Sequence, residues 1–382
     1  MISVVLYHFG VRGVSGGFQG VDIFFVISGF LMTGLVVSGL QQLGSGYSIA
    51  DFYLARSRRI IPALVPLFAA LFLMGWWFLP SPDYRKLADH ASWSILFLSN
   101  LRYLHESGYF DSLAHDKWLL HTWSLSVEWQ FYLIFPVLLK LIWRCKPDIT
   151  RLKLAIFGLL LVSFAACVWL THDDPNKAFY LLPTRAWQML AGGGVYLAHT
   201  HRFFCSSHSR SKDSVANWLY GAGFSLIFIG MAAFSGNDPW PGWRAAFPVL
   251  GASLVLLANR DRGLLTHHQL FQWLGNRSYS IYLWHWPLVV IWNHLEWLSN
   301  FWAIAGGFAA TLILANQSYH WVEQPFRHRL KHMSRQRAMA LTVALVGLML
   351  CFSIVIVAKK GVPGRVSPIS EAALQEHANR NP

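Results

Sequence analysis

Three ionisable residues stand inside apolar stretches, where a charge is expensive and each one is by default a functional hypothesis. His8 follows the apolar run ISVVLY, Asp22 lies about one turn into the next apolar block, and Glu128 sits at similar depth in HTWSLSVEWQFYL. At roughly 1.5 Å of rise per residue, all three fall at comparable depth in the outer half of a bilayer. A histidine and a carboxylate in a low-dielectric cavity suit general base catalysis. The imidazole takes a proton from an attacking hydroxyl, and the carboxylate orients it and stabilises the imidazolium. The plain alternative is that such residues hold helices together. For Asp22, set among glycines in GGFQGVD, the plain reading is a cap on the helix start; His8 and Glu128 are read as functional.

A second constellation is Arg56, Arg58 and Arg59 in FYLARSRRIIPAL. Guanidinium groups pair bidentately with phosphates, so this cluster suits a nucleotide-like donor; its alternative is a topology signal. Arg185 opens an apolar block in LPTRAWQMLAGGG, and His285 lies in SYSIYLWHWPL ahead of Trp286 and Pro287. With Asp22 these are candidate cavity-lining residues, and for His285 a packing role stands equally. The three glycines at 192–194 offer a small-residue surface for close helix approach. His199 with His201, and His267 with His268, have no supporting ligand set, so no metal site is expected. Cys145, Cys167, Cys205 and Cys351 form no CxxC pair and suggest neither a disulfide nor a metal.

These residues need a membrane bundle to position them. The chain has 382 residues, of which 54% are apolar and 13% charged, against roughly a quarter charged in average globular chains; its mean hydropathy is +0.38. The expected fold is therefore all-α and integral to the membrane: a polytopic bundle of about ten transmembrane helices plus an eleventh linking helix. The expected spans are 1–9 (a remnant), 18–40, 60–79, 122–143, 152–170, 184–200, 216–235, 244–259, 279–295, 301–321 and 338–358. Nineteen Trp and thirteen Tyr suit the membrane–water interface.

The block 88–101 is apolar but short. If it does not cross, the basic loops fall on one side: Arg56, Arg58 and Arg59; Arg144, Lys146, Arg151 and Lys153; Arg202, Arg210 and Lys212; Arg260, Arg262 and Arg277; and Arg327 to Arg337. Loops poor in Lys and Arg, such as 235–241 and 293–300, fall on the other. The positive-inside rule thus makes 88–101 re-entrant or interfacial, the N-terminus cytoplasmic and the C-terminus periplasmic. It also accounts for the net charge of +13 without nucleic acid. Three segments are expected: a membrane domain over 1–335, an additional span over 336–358, and a polar, Gly- and Pro-containing linker or disordered tail over 359–382. No cleavable signal peptide is visible.

Several stretches, in order, resemble the acyltransferase-3 family of membrane O-acyltransferases. They are LYHFG (6–10), GGFQGVDIFFVISGFLMTG (16–34), FYLARSRRIIPAL (52–64), GYFD (108–111), HTWSLSVEWQFYL (121–133), LPTRAWQMLAGG (182–193), SYSIYLWHWPL (278–288) and VEQPFR (322–327). The resemblance implies a ten-helix bundle in the bacterial inner membrane that uses a cytoplasmic acyl-CoA, usually acetyl-CoA, with no bound cofactor. The acceptor it implies is a hydroxyl of an extracytoplasmic glycan such as lipopolysaccharide O-antigen, peptidoglycan or an exopolysaccharide. It maps the family's functional histidine onto His8, its donor-binding arginines onto Arg56, Arg58 and Arg59, and its acidic residue onto Glu128. The eleventh span is similar to the subgroup that carries a C-terminal SGNH-type hydrolase-like domain, which the printed residues do not include; a separate periplasmic SGNH-type protein is a candidate partner.

Three departures stand out. The family's arginine ten residues before the histidine would precede Met1, so Met1 is expected to be an internal codon. Ala55 replaces the first arginine of the family's Arg-Arg pair, and Glu128–Trp129 replaces its Glu-Glu. The alternatives to an O-acyltransferase are an acyl-group transporter feeding a separate transferase, and an inactive fragment of a longer acyltransferase.

Overall fold

A computed structural model describes residues 1–107, 114–199, 210–260 and 267–365. The GYFD stretch, His201, Arg202, Cys205, Arg262 and residues 366–382 lie outside these, as do the side chains of Arg210 and Lys212. Every regular element described is helical. In chain order they are α1 (Ile2–His8), α2 (Gly20–Leu43), α3 (Ile49–Phe78), α4 (Ser81–Ile95), α5 (Ser99–Glu106), α6 (Thr122–Cys145), α7 (Ile149–Asp173) and α8 (Pro175–Tyr180). There follow α9 (Leu182–His199), α10 (Arg210–Ala233), α11 (Ala246–Ala258), α12 (Gln269–Asn276), α13 (Ser278–His294), α14 (Phe301–Ser318), α15 (Gln324–His332) and α16 (Arg335–Ala358).

Each helix beyond α1 that was expected to span coincides with one of these. Six are long and apolar enough to cross a membrane: α2, α3, α6, α7, α10 and α16. The other four, α9, α11, α13 and α14, have 18, 13, 17 and 18 residues. At 1.5 Å per residue they reach roughly 20–27 Å, short of a hydrocarbon core of about 30 Å. The expected count of ten is therefore not reached by length and composition alone. Large apolar side chains are nonetheless presented outward, on α14 (Phe301, Trp302) as on α7 (Trp169) and α10 (Trp218), as lipid-facing side chains are. The protein is a multi-pass membrane protein.

Local sequence sets many of the boundaries. Asp148 accepts from the Thr150 amide at the start of α7, and Asp174 accepts from the Lys177 amide at the start of α8. Asn300 accepts from Trp302 and Ala303 at the start of α14. These are side-chain caps on otherwise orphaned amides. The 88–101 block is broken into α4 and α5, of 15 and 8 residues, joined where Phe97 takes φ 56°. α5 is too short to cross, and α4 carries Asp83, Arg85, Lys86, Asp89 and His90 along its length.

The chain divides into two compact units. The first comprises Met1–Ile49 and Val127–Asn276. In it α2 packs on α9, α7 on α9, and α10 on α11, around a core that includes Val26, Cys167, Trp187, Trp240 and Val249. The α2–α9 contact is backbone to backbone. A Cβ on Gly29 would fall on the Met189 carbonyl, and one on Gly192 on the Val26 carbonyl. The glycines at 192 and 193 thus form the close-approach surface expected of them. The second unit comprises Ala50–Ser126 and Arg277–Pro382. There α13 packs on α14 and α16 on α4, while Leu54, Leu330 and Ala338 close a small cluster at the start of α3.

Candidate active site

His8 is the last residue of α1, a helix of only seven residues, about 10 Å long. The helix stops there because Gly10 takes φ 72°. The Val11 amide then reaches the Leu6 carbonyl and the Gly10 amide the Tyr7 carbonyl, the paired bonds of a glycine-terminated helix. The turn that carries His8 lies against the start of α2. A Cβ on Gly17 would meet the Ser3 carbonyl and Tyr7, and Tyr7 packs edge-on against Phe18 at 5.3 Å between ring centroids. Gln19 fixes this corner by donating to the Gly230 carbonyl at 2.7 Å. His8 itself is half-buried.

Glu128 is buried on α6 in the same unit. Its carboxylate accepts hydrogen bonds from Ser28 on α2 and from Tyr132 one turn further along α6. Two hydroxyl donors from two helices hold this buried carboxylate in one orientation. Asp22, one and a half turns before Ser28 on α2, is 1% exposed. Its carboxylate is turned to α9, where Arg185 donates at 2.9 Å and Gln188 at 2.6 Å. The cap reading of Asp22 gives way to a cross-helix ion pair. α2 therefore presents two polar positions on the same helix, one meeting α9 and the other meeting Glu128. Ser28, Tyr132 and Gln188 were not singled out by sequence reasoning, although Tyr132 stands at i+4 from Glu128, the spacing at which helix side chains meet.

The other predicted residues lie in the second unit. Arg56, Arg58 and Arg59 occupy the third turn of α3 and are partly exposed. The Nε of Arg58 is buried and has no hydrogen-bond acceptor among the described residues. Nearby is an acid that sequence reasoning passed over inside VEQPFR. Glu323 accepts from Ser280 at 2.9 Å and Arg327 at 3.2 Å. Burial pushes its carboxyl up, against Ser280, Arg327 and the charge of Arg59. The adjacent Tyr279 donates to the Ile60 carbonyl at 3.0 Å, which ties the start of α13 to the arginine turn.

His285, on α13, is fully buried and donates through Nδ1 to the Tyr282 carbonyl at 2.6 Å. Its ring meets His121 at 5.8 Å between centroids. Sequence reasoning also missed a charged network on α4 and α5. His90 lies 2.9 Å from Glu106, Arg102 reaches Asp89 at 2.8 Å and Glu106 at 3.3 Å, and Lys117 stands 3.8 Å from Glu106. Burial raises the Glu106 carboxyl, but His90, Arg102 and Lys117 outweigh it and hold the group below its usual range. Asp89, His90 and Glu106 have metal-ligand spacing, yet Arg102 and Lys117 already neutralise the two carboxylates.

Residues 1–315 match the acyltransferase domain family. The chain is 31% identical over 339 residues to the peptidoglycan O-acetyltransferase OatA of Listeria monocytogenes, covering 86% of this chain and 54% of that one. It is 28% identical over 372 residues to the O-acetyltransferase OatA of Staphylococcus aureus, covering 93% of this chain and 61% of the relative. BcsY of Komagataeibacter xylinus, provisionally named a membrane-bound transacylase, is 30% identical over 353 residues, 89% of this chain and 84% of its own. The chain thus spans about half the length of the Listeria relative. No solved structure matches. With an all-helical membrane fold, a match over residues 1–315 and these relatives, the chain belongs to the acyltransferase domain family of membrane O-acyltransferases.

Proposed function

We propose that this chain is the membrane part of an O-acetyltransferase of the bacterial inner membrane. It takes an acetyl group from a cytoplasmic acyl-CoA and passes it to a hydroxyl of an extracytoplasmic glycan. Peptidoglycan leads among the acceptors because it is the one named for the Listeria relative. In this reading α9, α11, α13 and α14 cross along with the six longer helices, the N-terminus is cytoplasmic and the C-terminus periplasmic.

The observation that carries the donor half is Arg58, whose buried Nε has no acceptor among the described residues, in one turn with Arg56 and Arg59. Buried polar nitrogens are nearly always hydrogen-bonded, and a phosphate oxygen of acyl-CoA supplies the missing acceptor. For transfer, His8 supplies the imidazole and Glu128, held by Ser28 and Tyr132, supplies the fixed negative charge. His8 takes the acceptor hydroxyl's proton as the oxygen attacks the thioester carbon; the C–S bond breaks and the proton leaves with the CoA thiolate. In the covalent variant, His8 nitrogen accepts the acyl group first and the hydroxyl then removes it.

Two substitutions test the halves separately. His8→Ala should abolish glycan O-acetylation in cells at equal protein level, and unchanged acetylation would sink its role. Arg58→Ala should raise the apparent KM for acyl-CoA about tenfold or more, the equivalent of one lost charge-assisted hydrogen bond, with kcat little altered. Purified protein transferring labelled acyl to a sugar acceptor with no partner present would exclude the transporter reading.

A further inference from the structure

The polar segment that follows α16 is bound to the second unit. Arg365 donates through Nη1 to the Gly75 carbonyl at 3.0 Å, and also to the carbonyls of Trp76 and Leu79. The Gly75 and Trp76 carbonyls lie in the last turn of α3 (Ile49–Phe78) and Leu79 just follows it, where a helix end leaves carbonyls short of intrahelical donors; Gly75 also accepts from the Leu79 amide. A cation there also meets the negative end of the helix dipole. The guanidinium lies over the Tyr84 ring at 4.4 Å, and Tyr84 is fully buried on α4. Arg365 thus caps one helix and stacks on the next.

The backbone between α16 and Arg365 is shaped for this contact. Lys360, Gly361, Val362 and Gly364 all have positive φ, at 51°, 76°, 56° and 84°. For a β-branched residue such as Val362 this is an unfavourable conformation, held only where surroundings impose it. Gly361 is buried, and a Cβ there would fall on the Ser81 carbonyl. Gly361 also receives a bond from Arg365 Nε at 3.1 Å. Coil, close approach and guanidinium all point to one docked arrangement; a free tether would need none of them.

We propose that the α3–α4 junction is a docking site for the chain's own exit segment, residues 359–365, with Arg365 as its anchor. Docking holds the coil after α16 against the end of α3 instead of leaving it free.

Limited proteolysis of the full chain in proteoliposomes tests the docking. Trypsin needs a locally opened segment, so cleavage after Lys359 and Lys360, followed by mass spectrometry, reports release of the coil. Wild type should be protected. Arg365→Gln should be cut about tenfold faster or more, the fold-change that corresponds to loss of one charge-assisted hydrogen bond. Val362→Gly should stay protected, because glycine takes the same backbone angles without strain. Equal cleavage of wild type and Arg365→Gln would overturn the docking.

Discussion

Asp22 and Arg185 are 163 positions apart and meet at 2.9 Å, each about 1% exposed. A buried pair of this kind is costly to break one side at a time, because the remaining charge is left without a partner. Asp22→Asn should therefore destabilise the protein by about 3–5 kcal/mol, read as a lowered unfolding midpoint in detergent. The double substitution Asp22→Leu with Arg185→Met should cost less than the single one, since it removes both charges together. If the single change left the midpoint unmoved, the pair would not be holding α2 to α9. At this scale sequence singles out residues without their partners. Asp22 announced itself by standing in an apolar block. That its counter-charge is Arg185, or that Ser28 donates to Glu128, depends on which helix faces which, and no local pattern encodes that. Glu323 was hidden for a different reason: it lies just past an apolar block, where an acid draws no notice.

The helices were legible because their cause is local. Apolar runs, the cap residues Asp148, Asp174 and Asn300, and the shortness of 88–101 can all be read along the chain. Close packing was legible where small residues announced it, at 192–194. There the structure separates neighbouring glycines. A Cβ on Gly192 would fall on the Val26 carbonyl of α2, whereas one on Gly194 would meet nothing within 4 Å. Gly192→Ala should thus push α2 from α9 and cost roughly 1–3 kcal/mol. Gly194→Ala should be neutral or stabilise by about 0.5–1 kcal/mol, since glycine is the poorer helix residue. Unfolding midpoints of the two variants, measured side by side, check the sign of each. The segment after α16 was not legible in this way. Its Gly and Pro content reads as a linker, and the carbonyls that hold Arg365 lie some 290 positions earlier and carry no side-chain signal.

For the whole molecule, the open quantity is how many helices cross. Length and composition support six, while the distribution of Lys and Arg supports crossings by the four shorter ones too. The two counts disagree about one stretch in a way that can be measured. Between Cys145 at the end of α6 and Asn237 after α10 lie α7, α9 and α10. If only the long helices cross, α7 and α10 return the chain to the side it left, and the two positions share a face. If α9 crosses as well, there are three passages and the two positions lie on opposite faces. Cys145 and Asn237 are both exposed, so a membrane-impermeant thiol reagent can reach them from whichever side they occupy. In a chain with Cys167, Cys205 and Cys351 replaced by Ser, Asn237→Cys should be labelled in intact cells. Cys145 should be labelled only after the inner membrane is opened, because Arg144 and Lys146 beside it belong with the basic, cytoplasmic loops. Labelling of both positions from the same side would show that α9 does not cross. It would also place Arg185 and its bond to Asp22 in a helix that lies within one leaflet instead of spanning two.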